Sequence, residues 1–186
     1  MKIGILGGTF NPPHQGHLVL ANEIFEKLGL DKVLFVPTNI PPHKKENEAS
    51  SEDRLNMVNL AIRGYKNFEV LDLEIKRGGV SYTIDTIRQL KSQYPEDDFY
   101  LIIGSDLANT FSLWKESDEI KKIVKVVVAD RKNYPLKDKD DFLVVDITQI
   151  YLSSTQVRET LKIDESIQNF LAGDLVKYIK QHNLYK

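Results

Sequence analysis

Gly7-Gly8-Thr9-Phe10-Asn11-Pro12-Pro13-His14-Gln15-Gly16-His17 decides how this chain folds, because it sets a glycine turn and two imidazoles where a first strand hands over to a first helix. The apolar run Ile3 to Leu6 has the length of a short buried strand. Gly7-Gly8 then permits a turn tight enough for its amides to face a ligand. Pro12 and Pro13 disfavour helix before them, so the 3.6-period pattern Leu18, Ala21, Ile24, Phe25, Leu28 is expected to begin its helix near His14 to His17. Three residues apart on that opening turn, the two histidines share a face with the free N–H groups and the positive dipole end. The phosphate oxygens of a nucleoside triphosphate are the natural guest there.

Two other readings of the pair stand beside this one. An HxxH pair on a helix can bind zinc, but the chain has no cysteine, and a third ligand would have to come from His43 or a carboxylate. Two surface histidines at a helix start could also be structural only. The usual nucleotide loops are missing: no GxGxxG follows the first strand, and no Gly-Lys dipeptide exists to make a Walker A loop. Dinucleotide redox chemistry and P-loop ATPase chemistry are therefore poor fits.

Composition narrows the class further. A chain of 186 residues, 41% apolar and with seven prolines, fits one domain with a full hydrophobic core. The 25 Lys and Arg against 27 Asp and Glu give a net charge of -2, so there is no global basic field for nucleic acid, and a polyanion must be held by local cations and amides. Zero cysteines removes disulfides and thiol chemistry and suits a reducing compartment. The first residues read as a core strand rather than a signal peptide, and no apolar run reaches the roughly 18 residues that span a bilayer. A soluble cytoplasmic protein with no membrane partner is expected.

Strands are expected at Lys2 to Leu6, Lys32 to Val36, Phe68 to Glu74, Phe99 to Ile103, Lys125 to Ala129 and Phe142 to Val145, with helical patterns between most of them. That alternation predicts an α/β fold on a parallel sheet. Ser50 to Asp53 fits a capping box for a helix carrying Leu55, Val58 and Ile62 on one face. A further helix after Gly78-Gly79 spaces Ile84, Ile87 and Leu90 for burial, and helical patterns from Ser154 and from about Asp174 close the chain. The loops Thr38 to Ala49 and Lys132 to Asp141 stand out as long and polar. Ligands of an open parallel sheet bind beyond the carboxyl ends of its strands, at the switch in strand order. The chemistry-bearing segments all follow strands: Gly7 to His17, Thr38 to Lys45, Gly78 to Thr83, Gly104-Ser105-Asp106, Arg131, and Ser153-Ser154-Thr155.

Ser and Thr at a helix start offer hydroxyls and amides to an anion, and Arg158, one turn beyond Ser154-Thr155, can add a bidentate contact. The plain alternative is an N-cap. Asp106 can likewise accept from a sugar diol or cap a helix. Trp114, the only tryptophan, follows Phe111 by three residues and can stack a flat ring or fill a core.

The segment GGTFNPPHQGHL resembles the (H/T)xGH signature of the nucleotidyltransferase superfamily, and in its GGTFNPxHxGH form it resembles the bacterial nicotinate-mononucleotide adenylyltransferases. Pro41-Pro42-His43-Lys44, Ser81-Tyr82-Thr83-Ile84-Asp85-Thr86, Gly104-Ser105-Asp106, Phe111 to Trp114 and Ser153 to Arg158 are similar to that family's PPHK loop, SYTxDT, GxD, FxxW and SSTxIR elements. The resemblance implies a Rossmann-like doubly wound parallel sheet with C-terminal helices, one domain over residues 1–186. It implies transfer of AMP from ATP, with Mg²⁺ carried on the nucleotide and no metal site of the protein's own, to nicotinate mononucleotide, giving deamido-NAD and pyrophosphate. His14, His17 and Arg158 are the implied catalytic residues. They bind ATP together with Gly8, Thr9, Phe10, Gly104, Asp106, Ser153, Ser154 and Thr155. Asn39, His43, Lys44, Tyr82, Thr83 and Trp114 are the implied acceptor site. A monomer or homodimer is implied. The chain departs from the family where Lys132-Asn133 follows Arg131 in place of Pro-Gly, and where Leu171 to Leu175 lacks a proline.

Overall fold

The computed structural model of the chain describes residues 1–42, 48–130, 135–137, 141–148, 150–163, 167 and 170–186. Elements run β1 (Lys2–Gly8), α1 (Gln15–Leu28), β2 (Lys32–Pro37), α2 (Ser51–Ala61), β3 (Phe68–Val70), α3 (Leu73–Arg77), α4 (Thr83–Gln93), β4 (Asp98–Gly104) and α5 (Ser105–Ala108). A 3₁₀ turn at Phe111–Leu113, α6 (Ser117–Ile123), β5 (Lys125–Asp130), β6 (Leu143–Asp146), α7 (Ser154–Ile163) and α8 (Gly173–Gln181) complete it.

The six strands form one parallel sheet in the order β3-β2-β1-β4-β5-β6. This is the doubly wound order, and the reversal beside β1 opens a crevice between β1 and β4. Alternation along each strand divides the apolar side chains between two faces. Val33, Phe35, Tyr100, Ile102, Val127 and Ala129 join Leu18, Met57, Val157 and Leu175, which places α1, α2, α7 and α8 on one face. Ile3, Ile5, Leu34, Val36, Leu101 and Val128 join Ile84, Ile87, Leu90 and Ile120 on the other, under α4 and α6.

Register sets the site. Gly8 pairs with Pro37 at the carboxyl ends of β1 and β2, and Thr38 N–H donates to Gly8 O at 3.0 Å, so the loops that leave the two strands start side by side. An isolated bridge between Ile40 and Val80 then carries the second loop to the approach of α4.

Two sequence expectations are corrected. The strand expected over Phe68 to Glu74 ends at Val70, and Leu73–Arg77 is helical. Leu71 and Leu73 alternate with Asp72 and Glu74 as in a strand, but both leucines pack on the α4 face while Glu74 turns inward to accept from Thr86 Oγ1 at 2.6 Å. The face of α2 is also broader than expected: Val58 and Ile62 are buried as read, Arg54, Met57 and Ala61 join them, and Leu55 is only half-buried. The buried arginine finds main-chain oxygens, as described below. Ser50 caps α2, with Asp53 N–H donating to Ser50 Oγ at 3.0 Å, but the Asp53 carboxylate takes its bond from the Ser50 hydroxyl at 2.6 Å rather than from the Ser50 N–H as a full capping box would.

Candidate active site

The loop expected to hold the nucleotide donor leaves β1 at Gly8 and enters α1 at its N-cap, His14. Phe10 is 2% exposed at φ 50°, its ring seated against Phe35 and edge-on to His17, so only its main chain is offered to a ligand. A Cβ at Gly8 would meet that ring at 3.0 Å, so any larger residue there would have to push the Phe10 ring aside. His14 is buried and its ring lies 3.8 Å, centroid to centroid, from that of His17. Gly16 makes room for this, since a Cβ there would stand 3.0 Å from His14 Nδ1.

His14 N–H donates to His17 Nδ1 at 3.2 Å. A ring nitrogen that accepts cannot carry the proton, so the neutral ring holds it on Nε2. The helix entry thus fixes His17 as an Nε2–H donor, with His14 packed beside it.

Four side chains from distant parts of the chain hold this loop. Arg54 of α2 donates from Nη1 to Thr9 O at 2.9 Å. Arg158 of α7 donates from Nη1 to Asn11 O at 2.9 Å, and Ser154 Oγ donates to Pro12 O at 2.9 Å. Tyr185, 3% exposed, donates its hydroxyl to Asn11 Oδ1 at 2.7 Å. Burial pushes the Tyr185 hydroxyl well above its ordinary range, so it stays a donor.

Arg158 is committed on every nitrogen: Nε to Glu48 Oε1 at 2.8 Å and Nη2 to Thr155 Oγ1 at 3.3 Å complete its contacts. The Glu48 carboxylate is solvent-accessible and sits where an anion would on this guanidinium. Ser153 and Gln156 cap the start of α7, with Gln156 N–H donating to Ser153 Oγ at 3.2 Å and Ser153 N–H to Gln156 Oε1 at 2.9 Å. The hydroxyls expected to greet an anion thus have protein partners, and the part of the motif nearest the donor loop is Ser154 with Arg158.

Across the crevice, Gly104 is the N-cap of α5 and Asp106 lies in its first turn, half-buried, so the capping alternative for Asp106 does not hold. On the acceptor side, Asn39 is a structural hub: its N–H donates to Ser81 Oγ at 2.8 Å, its Nδ2 to Gly79 O at 2.9 Å, and its own carbonyl accepts from Arg54 Nη2 at 2.9 Å. Tyr82 is the N-cap of α4 and Thr83 its first residue. Trp114 is half-buried, ring centroid 5.1 Å from Phe111. Lys115 Nζ stands 4.6 Å from the Tyr82 ring centroid, which joins the tryptophan turn to the start of α4. His43, Lys44 and Arg131 lie outside the described residues.

Sequence reasoning did not single out Arg54, Tyr185 or Glu74. Arg54 had one available signal, a charged residue beside Leu55 at the buried spacing of α2. Glu74, 5% exposed, has its carboxyl raised above the ordinary range by burial, against the hydrogen bonds from Thr86 and Ser81 and the charge of Arg77. Among the described residues no group of three His, Cys, Asp or Glu side chains could hold a metal ion, and no helix is long and apolar enough to cross a membrane.

Comparison with known proteins shows the family and the fold. The cytidylyltransferase-like family model matches residues 5–160. A probable nicotinate-nucleotide adenylyltransferase of Oceanobacillus iheyensis is 42% identical over 184 residues, covering 99% of this chain and 96% of its own. One from Listeria monocytogenes is 41% identical over 185 residues, covering 99% and 97%. In fold, the chain matches the Plasmodium falciparum nicotinic acid mononucleotide adenylyltransferase complexed with NaAD at a TM-score of 0.84 and 22% identity, over 99% of this chain and 97% of that one. Two histidines on a clamped strand-to-helix loop, on this sheet and with these relatives, place the chain in one group: it belongs to the nicotinate-nucleotide adenylyltransferase family.

Proposed function

We propose that the protein transfers AMP from ATP to nicotinate mononucleotide, forming deamido-NAD and pyrophosphate. The observation that carries the reading is the donor loop itself: His17 oriented as an Nε2–H donor by the His14 amide, on a loop whose carbonyls are already pinned by Arg54, Arg158 and Ser154.

The acceptor phosphate is a nucleophile at neutral pH, so no general base or covalent intermediate is needed, and catalysis consists of alignment and charge stabilisation. The acceptor attacks the α-phosphorus in line with departing pyrophosphate. His17 Nε2–H donates to an α-phosphate oxygen as charge builds, with His14 behind it. Arg158 exchanges the Glu48 carboxylate for the leaving phosphates and keeps Asn11 O. Magnesium arrives as part of the MgATP substrate, bound chiefly by phosphate oxygens and water, and offsets the charge of the leaving group. Asp106 holds a ribose hydroxyl. Trp114 and Tyr82 flank the nicotinate ring, and the first-turn amides of α4 with the Thr83 hydroxyl take its carboxylate. The zero cysteines fit a reducing, cytoplasmic setting.

Pyrophosphate release from MgATP, run in parallel with nicotinate mononucleotide, nicotinamide mononucleotide and phosphopantetheine, tests this. Strong preference for the acid nucleotide, with deamido-NAD formed in equal amount, is expected. Preference for either other acceptor would overturn the pocket assignment, and silence with all three would overturn the activity.

A further inference from the structure

We infer that Arg54 is a positioning residue that sets the geometry between the two substrates by gripping one main-chain carbonyl of each substrate loop; this rests on the adenylyl-transfer reading above. Arg54 is 1% exposed, and both of its terminal nitrogens are taken by groups of the chain itself. Its Nη1 donates to Thr9 O of the donor loop at 2.9 Å and reaches Thr38 Oγ1 at 3.5 Å, while Nη2 donates to Asn39 O of the acceptor loop at 2.9 Å. None of these partners is a carboxylate. Burial lowers the guanidinium's pKa from its ordinary value, which registers the cost of keeping a cation in this place.

An apolar residue would serve α2 better if packing were the only requirement, since Met57, Val58 and Ala61 share the same buried surface. What a methionine or a lysine cannot supply is a rigid fork with two donors in fixed directions. In a trans peptide the carbonyl and the following N–H point opposite ways. Drawing Thr9 O toward Arg54 therefore turns the Phe10 N–H away from it, and drawing Asn39 O inward does the same for the Ile40 N–H. Asn39 is tied onward to Ser81 and Gly79, so one line of hydrogen bonds runs from the donor loop through Arg54 to the residues that open α4. In-line transfer is sensitive to about 1 Å of misplacement, worth on the order of 100-fold in rate.

Arg54→Lys keeps the charge and loses the fork. Its kcat with MgATP and nicotinate mononucleotide falls about 100-fold. Its affinities for an α,β-methylene ATP analogue and for nicotinate mononucleotide alone stay within about threefold of wild type, with one analogue bound per chain. Ser81→Ala cuts the same line beyond Asn39 and also removes the Ser81 bond to Glu74, while the Arg54 guanidinium and its two carbonyls stay in place, and it lowers kcat about tenfold with analogue affinity unchanged. Wild-type kcat in either variant overturns the inference. So does a loss of kcat in Arg54→Lys that only tracks the fraction of chains able to bind the analogue, which marks a folding role. Wild-type protein is assayed alongside, and its silence with nicotinate mononucleotide would remove the functional reading rather than the role of Arg54.

Discussion

On the donor side of the crevice, the carbonyls of Thr9, Asn11 and Pro12 and the side chain of Asn11 are held by residues 45, 147, 142 and 174 positions away. On the acceptor side, Asn39 is tied to Ser81 and Gly79, 42 and 40 positions away, and the aromatic wall of Tyr82 and Trp114 is half-exposed. The donor loop is a cage closed by the far ends of the chain, and the acceptor wall is a bridge between neighbouring loops. The difference matches the two proposed roles. Donors that stabilise a transition state have to be in place before charge develops, because reorganising them during the reaction would return the gain. A pocket that selects among flat rings needs surface and a few amides, and tolerates a more open build.

The largest effect expected from breaking this contrast is on the donor side. Arg158→Ala removes both a clamp on Asn11 and the cation proposed for the leaving group, and lowers kcat/KM for ATP by about 100-fold or more, measured by steady-state pyrophosphate release. A loss confined to the acceptor KM would reverse the assignment of the two sides. Trp114→Ala comes next: the acceptor KM rises about tenfold while the ATP KM stays within about twofold, consistent with loss of a stacking surface. Equal losses for both substrates would show that the tryptophan braces the fold instead.

Tyr185→Phe keeps the buried ring and removes only the hydroxyl. Asn11 Oδ1 then loses its donor, at a cost of about 1–3 kcal/mol, which lowers Tm by roughly 2–4 °C per kcal/mol. The ATP KM should rise several-fold and the acceptor KM should not. Thermal melts with kinetics on the same preparation check both parts, and unchanged ATP kinetics would separate the chain end from the donor loop.

The smallest effect lies at Glu74, behind the acceptor wall. Its carboxyl is raised by burial, so the folded protein holds that proton more tightly than the unfolded chain does. Stability contributed by the protonated form is therefore lost as pH climbs from the ordinary carboxylate value of 4.5 through the raised one. Glu74→Gln removes this loss, so its Tm relative to wild type should increase across that window and level off above it. A difference independent of pH would contradict the assignment.

Much of this was legible in the sequence. Strand-helix alternation gave the parallel sheet, and the spacing of His14 and His17 gave the loop where β1 hands over to α1, because both are local patterns. What pairs across long separations was not legible. Tyr185 reads as a terminal aromatic until Asn11 is beside it, and Arg54 reads as one more charge on a polar helix until two carbonyls converge on it. Leu71 and Leu73 misled for the converse reason, since alternation alone does not tell a strand from a chain turning into a short helix. Ser153, Ser154 and Thr155 marked the start of α7, but only tertiary contacts show Ser154 bonded to Pro12 and Ser153 spent as a cap.

The proposed transfer rests on His17 acting as an oriented Nε2–H donor in the transition state. The most direct test is His17→Ala, measuring kcat with MgATP and nicotinate mononucleotide and, on the same sample, affinity for α,β-methylene ATP. A fall in kcat of at least about 100-fold with analogue affinity within about threefold is the predicted result. Near-normal turnover, or a loss that appears only as weaker nucleotide binding, would contradict it.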